Sequence, residues 1–124
     1  MGLLDGLMGN ASEVSVSSVE KDLRDILVQG EQVEHAFKLI RDIFVFSNKR
    51  LILIDKQGVT GKKTSYHSIP YRNITHFSVE TAGTFDLDAE LVIWVSSSTA
   101  PIVKEFRKDK NIYEVQKALA TYVL

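Results

Sequence analysis

The chain has 124 residues, of which 44% are hydrophobic, 25% charged and 9% aromatic, proportions that fit one globular domain and exclude a disordered tail, a collagen or a coiled-coil rod. Fifteen Lys and Arg against sixteen Asp and Glu leave a net charge of −1, which argues against a dedicated nucleic-acid binder because no overall field draws in a phosphate backbone. The lack of cysteine removes disulfides, thiolate catalysis and Cys-based metal sites, and suits a reducing, cytoplasmic setting.

In chain order, Met1 to Met8 (MGLLDGLM) has no basic n-region and is too short for a secretory core with its cleavage site. A myristoyl acceptor needs Ser or Thr where Gly6 stands. Small polar residues from Gly9 to Ser18 extend this into a loose lead-in, so residues 1–18 are expected to be flexible and residues 19–124 to form the domain. Val19, Leu23, Ile26 and Leu27 then share one helical face; with Ser17 or Ser18 as cap and Gly30 as terminator, the spacing predicts a helix over 19–29.

From Gln32 the chain reads as seven strands, 32–40, 42–46, 50–55, 63–69, 74–80, 88–96 and 102–107, separated by Gly, Pro, Asn and Ser clusters. Asp109 is placed to cap a last helix whose apolar face is Ile112, Val115, Leu119, Tyr122 and Val123. No apolar run approaches the roughly 20 residues that span a bilayer as a helix.

Seven strands followed by one C-terminal helix is an order that resembles the pleckstrin-homology (PH) superfold. Phe46-Ser47-Asn48-Lys49-Arg50-Leu51-Ile52-Leu53-Ile54-Asp55 resembles the Thr-Asn-Lys-Arg-Leu hairpin and apolar strand of bacterial PH domains, with Ser47 in place of Thr. Met1-Gly2-Leu3-Leu4-Asp5-Gly6-Leu7 and Ser68-Ile69-Pro70-Tyr71 are similar to the same group, its small stand-alone members in particular. The resemblance implies a mainly β (α+β) fold, seven antiparallel strands in two packed sheets closed by the C-terminal helix, with a short N-terminal helix. It also implies a ring-forming homo-oligomer. On this fold Ile112, Val115 and Leu119 are expected to pack against Phe37, Val45, Leu53 and Trp94.

Chemistry-bearing patterns are few. Gly58-Val59-Thr60-Gly61-Lys62-Lys63 has Lys56 where a phosphate-binding loop needs its first Gly, and Lys63 where it needs Ser or Thr. His35, His67 and His76 fall on three different strands without metal-ligand spacing. His35 alternates with Val33 and Phe37 as a core or interface residue would, and His67 and His76 flank the Pro70 turn as candidate cross-strand neighbours. Asp86, Asp88 and Glu90 share a strand face but lack a calcium loop, so a solvated acidic edge outweighs a cation site. No Gly-x-Ser-x-Gly elbow or supported acid–base pair is present. The expectation is a non-enzymatic module with no metal and no cofactor.

Charge is divided into blocks. Between Lys38 and Arg72 stand eight basic residues and two acidic ones, whereas Glu80 to Glu90 holds four acids and no base. The Ile40-Arg41-Asp42 link is too tight to form the basic loop with which phosphoinositide-binding PH domains grip a head group, so no specific phosphoinositide binding is expected. Ile43-Phe44-Val45-Phe46, Leu51-Ile52-Leu53-Ile54 and Leu91-Val92-Ile93-Trp94-Val95 are apolar at every position, which requires cover on both faces, from the N-terminal helix or from a second subunit.

These features converge on an interaction or scaffold module that self-associates, with a protein or peptide as a further partner. The interface pairs Lys49, Arg50, Lys62 and Lys63 of one subunit with Glu80, Asp86, Asp88 and Glu90 of the next. The alternative is a peripheral membrane module that uses the basic hairpin together with Leu3, Leu4, Leu7 and Met8 on anionic lipid.

Overall fold

The computed structural model describes residues 15–39, 42–57, 63–81, 88–107 and 110–124. It divides into two compact units, one ending at Ile69 and one starting at Pro70.

The first unit holds helix α1 (Val16–Asp22) and four strands, β1 (Val33–Lys38), β2 (Asp42–Ser47), β3 (Arg50–Gln57) and β4 (Lys63–Pro70), in the sheet order β1-β2-β3-β4. The pairings of β1 with β2 and of β2 with β3 are antiparallel. The helix starts three residues before the expected Val19, because Ser15 caps it and its side chain accepts from the Ser18 amide. It also ends early, at Leu23, although Leu23, Ile26 and Leu27 still pack inward as their spacing demanded.

Both faces of the central strands are covered, as their unbroken apolarity required. Ala36, Val45 and Ile52 lie in register and form one cluster with Val19, Leu23, Val33 and Ile54 beneath α1. Phe44, Phe46, Leu51 and Leu53 point to the opposite face and are also buried. Val45 therefore packs against the N-terminal helix, and its expected place under the C-terminal helix is corrected. His35 is exposed although it keeps the face of buried Phe37, on whose ring it stacks at 6.3 Å, while the bulge between Val33 and His35 turns Val33 to the face of Ala36 and Val45. The Leu39 amide donates to the Asp42 carbonyl at 2.7 Å, which closes the link between β1 and β2 tightly.

The second unit has a 3-10 turn (Tyr71–Asn73), strands β5 (Ile74–Thr81), β6 (Asp88–Val95) and β7 (Ile102–Arg107), and helix α2 (Lys110–Val123). Its sheet is antiparallel with order β5-β6-β7. Helix α2 contacts β5 and the 3-10 turn, where the Tyr122 ring stacks on Tyr71 at 4.7 Å. Ile112, Val115, Ala118 and Leu119 are its buried stripe. Asp109, its expected cap, lies outside the described residues. His67 and His76 belong to different sheets and are not cross-strand neighbours.

Candidate functional site

The Ser47–Arg50 hairpin turns out to be a clasp. The Ser47 hydroxyl accepts from the amides of Lys49 and Arg50 at 3.1 and 3.0 Å, which tightens the turn, and donates to Glu31 Oε2 at 2.6 Å. Asn48 grips the segment leading into β1 from both sides: its Nδ2 donates to the Gly30 carbonyl, and its Oδ1 accepts from the Gln32 amide at 2.7 Å. Gly30 sits at φ 84°, a left-handed conformation that suits glycine.

Arg50 completes the clasp. Its Nε and Nη2 form a fork on Glu31 Oε2 and Oε1, each at 2.9 Å, Nη2 also donates to the Ile26 carbonyl at 2.8 Å, and Nη1 donates to Ser68 Oγ. This capture of the Ile26 carbonyl, with the Val28 amide donated to Glu31 Oε1, holds in place the segment that follows the end of α1 at Leu23. The Glu31 side chain is 0% exposed and that of Arg50 21%. Four donors thus fill the carboxylate's acceptor positions.

Burial alone would raise the Glu31 pKa, but the hydrogen bonds from Arg50, Ser47 and the Val28 amide, together with the Arg50 charge, outweigh it and lower it from 4.5 to about 2. A folded-state pKa below the unfolded one contributes stability that is fully present above pH 4.5 and is lost as pH falls towards 2. The contribution is about 3 kcal/mol. Carboxyl-carbon NMR titration is expected to find Glu31 ionised down to this range, and urea unfolding to show stability falling between pH 5 and pH 2; a midpoint near 4.5 refutes the clasp.

A second cluster occupies one face of the β5-β6-β7 sheet. Register aligns Glu80 with Glu90 and Glu90 with Glu105, so three carboxylate side chains stand in a row across the strands. The next row on this face is Ser78, Val92 and Val103, the last 47% exposed. The third pairs His76 with Trp94, whose rings stack at 4.3 Å, and the Thr75 hydroxyl bridges His76 Nδ1 and the Trp94 carbonyl. Trp94 is therefore committed to this face and not to the buried face occupied by Leu91 and Ile93.

Of the residues singled out for an interface, Lys49 and Lys63 are exposed, at the hairpin tip and at the start of β4. Arg50 is engaged inside its own unit and does not present a free cation. Glu80 and Glu90 are brought together; Asp88 opens β6 opposite Arg107; Lys62 and Asp86 lie outside the described residues. Glu31 and Glu105 were not singled out. For Glu105 the signal was available, because a hairpin centred between Ser97 and Ser98 sets it beside Glu90. Among the described residues no group of three His, Asp or Glu side chains is placed to hold a metal ion, and no helix is long and apolar enough to cross a membrane.

This strand order with a terminal helix matches the bacterial PH-domain family model over residues 2–123. The chain belongs to that family. It is 57% identical to a PH domain from Shewanella amazonensis SB2B, whose crystal structure superposes with a TM-score of 0.85 over 99% of both chains. A DUF1696 family protein with a PH domain from Shewanella loihica PV-4 is 55% identical, with a TM-score of 0.80 over 91% of this chain and 97% of that one. The uncharacterized protein YjqA of Bacillus subtilis (strain 168) is 60% identical over 121 residues, 97% of each chain.

Proposed function

We propose that this chain is a non-enzymatic, cytoplasmic PH-like scaffold module that self-associates head to tail into a ring. The carboxylate row on the β5-β6-β7 sheet carries this reading. Like charges directly opposite one another on neighbouring strands destabilise an isolated sheet, and here they adjoin exposed Val103. A neighbouring copy that presents Lys63 neutralises part of the row, while adjacent Val103 supplies apolar area. The cover that α1 gives β2 and β3 removes the need for a second subunit on that face, so the reading rests on the second sheet.

Light scattering tests it. The wild type is expected to be larger than a monomer at micromolar concentration, and Glu90→Lys with Glu105→Lys to shift it to monomer. A wild-type monomer overturns self-association, and an unchanged assembly in the variant overturns the charge pairing. Salt-sensitive flotation of a wild-type monomer with anionic vesicles, absent with neutral ones, supports the peripheral-membrane alternative.

A further inference from the structure

Helix α1 is the least self-sufficient element of the first unit. It has seven residues, and a helix so short does not hold its shape in water without a surface to pack on. That surface is one face of β1–β3, where Val19 and Leu23 are buried with Ala36, Val45 and Ile52, and Val16, Ile26 and Leu27 are partly buried beside them. Hydrogen bonds then fasten the segment to the rest of the unit. Glu20 Oε2 accepts from the Val33 amide at 3.0 Å, the Ile26 carbonyl accepts from Arg50 Nη2 at 2.8 Å, and the Val28 amide donates to Glu31 Oε1 at 3.1 Å.

The sheet does not share this dependence. Phe44, Phe46, Leu51 and Leu53 are buried on its other face, where the Phe46 ring meets Phe37 and Phe44 edge-on at 6.0 and 6.5 Å. This second core lies across the strands from α1. The link between α1 and β1 has room to bend, because Val28, Gln29 and Gly30 are exposed in succession and Gly30 is already in the left-handed region.

We infer that residues 15–28 form a lid, which leaves the β1–β3 face as a unit by bending at Val28–Gly30 while the strands stay folded. The Glu31–Arg50 pair is the post to which the lid is latched. The two side chains hold each other, and Ser47, on the sheet side of the link, and each holds the lid by one hydrogen bond, Arg50 at Ile26 and Glu31 at Val28. Opening breaks those two bonds and the one between Glu20 and Val33, but it leaves the ion pair made, so no buried charge is stranded. It uncovers Ala36, Val45 and Ile52, each 0% exposed when the lid is shut. The chain therefore has a second state that differs from the first by one apolar face, and a segment with so few buried side chains belongs to the low-stability end of the fold from which such states are drawn.

The chain has no cysteine, so single introduced thiols report exposure without background. Val45→Cys places a thiol under the lid and Leu53→Cys places one on the opposite face of the sheet. Each is labelled with a small thiol reagent over a urea series below the unfolding transition, and its rate is compared with the unfolding constant of the same variant. The Val45→Cys thiol is expected to react about tenfold or more faster than global unfolding allows, with a shallow urea dependence because lid opening exposes little surface. The Leu53→Cys thiol is expected to react only as fast as global unfolding. Leu23→Ala, a change inside the lid, and Arg50→Lys, which keeps the charge but cannot fork on Glu31 while holding the Ile26 carbonyl, are each expected to raise the Val45→Cys rate about tenfold or more. Equal protection of the two thiols with the same steep urea dependence overturns the lid, as does a Val45→Cys rate that Leu23→Ala leaves unchanged. A rate that Leu23→Ala raises and Arg50→Lys does not overturns the latch alone.

Discussion

Arg50→Ala is expected to lower the free energy of unfolding by about 3–5 kcal/mol at pH 7, the range for removing one partner of a buried ion pair. The substitution strips Glu31 of the fork from Nε and Nη2, and removes the donors to the Ile26 carbonyl and Ser68 Oγ. The Glu31 carboxylate, with no exposed side-chain surface, then stays buried with only the Ser47 hydroxyl and the Val28 amide. Protonation relieves that burden, so the variant is expected to lose less stability than the wild type between pH 5 and pH 2, the reverse of a general acid effect. Replacing both partners, Glu31→Leu with Arg50→Ala, removes the stranded charge and is expected to recover a large part of the loss. Urea unfolding of the four proteins in this cycle measures the coupling. A single-variant loss under about 1 kcal/mol, or no coupling in the cycle, overturns the clasp.

The clasp changes what the Ser47-Asn48-Lys49-Arg50 motif means. Three of its four side chains bind the chain's own residues: Ser47 and Arg50 hold Glu31, and Asn48 holds Gly30 and Gln32. Lys49 is exposed at the tip. A basic hairpin in sequence is therefore half a structural device. It fastens the segment after α1 to the sheet, so the helix stays over Val45 and Ile52.

The strands were legible because each repeats an apolar pattern between turn residues, and their observed bounds differ from the predicted ones by no more than two residues. The cover on both faces of β2 and β3 was equally plain from Leu51-Ile52-Leu53-Ile54, since no strand with a wet face is apolar throughout. The course of the chain after α1 was hidden because Arg50 helps to hold it, 24 residues beyond the Ile26 carbonyl that it captures. Local spacing holds no trace of so distant a donor. The same separation concealed Glu31, which reads as one more acid beside a glycine until β3 delivers its partner. The bulge that turns Val33 to the face of Ala36, away from that of His35 and Phe37, leaves no marker in composition. Two of the three members of the acidic row were visible as Glu80 and Glu90. Glu105 required the hairpin register, where counting outward from the turn substitutes for periodicity.

Leu119→Ala tests the second unit as Arg50→Ala tests the first, and is expected to cost about 2–5 kcal/mol. Ile112, Val115 and Leu119 recur three and four residues apart along α2 and are each 0% exposed, so truncation removes apolar contacts and leaves a void that neighbours fill only in part. The outward face supplies the control. Tyr113 is half exposed and Glu114 pairs with Lys117 at 3.7 Å on the surface, so Glu114→Ala is expected to change stability by less than about 0.5 kcal/mol. Tyr122 stacks on Tyr71 in the 3-10 turn, and Tyr122→Ala should fall between the two because its ring is only partly buried. Denaturant unfolding ranks the three variants. If Leu119→Ala costs no more than Glu114→Ala, α2 does not complete the core of this unit, and the terminal helix loses the structural role that the order of helix, seven strands and helix assigns to it.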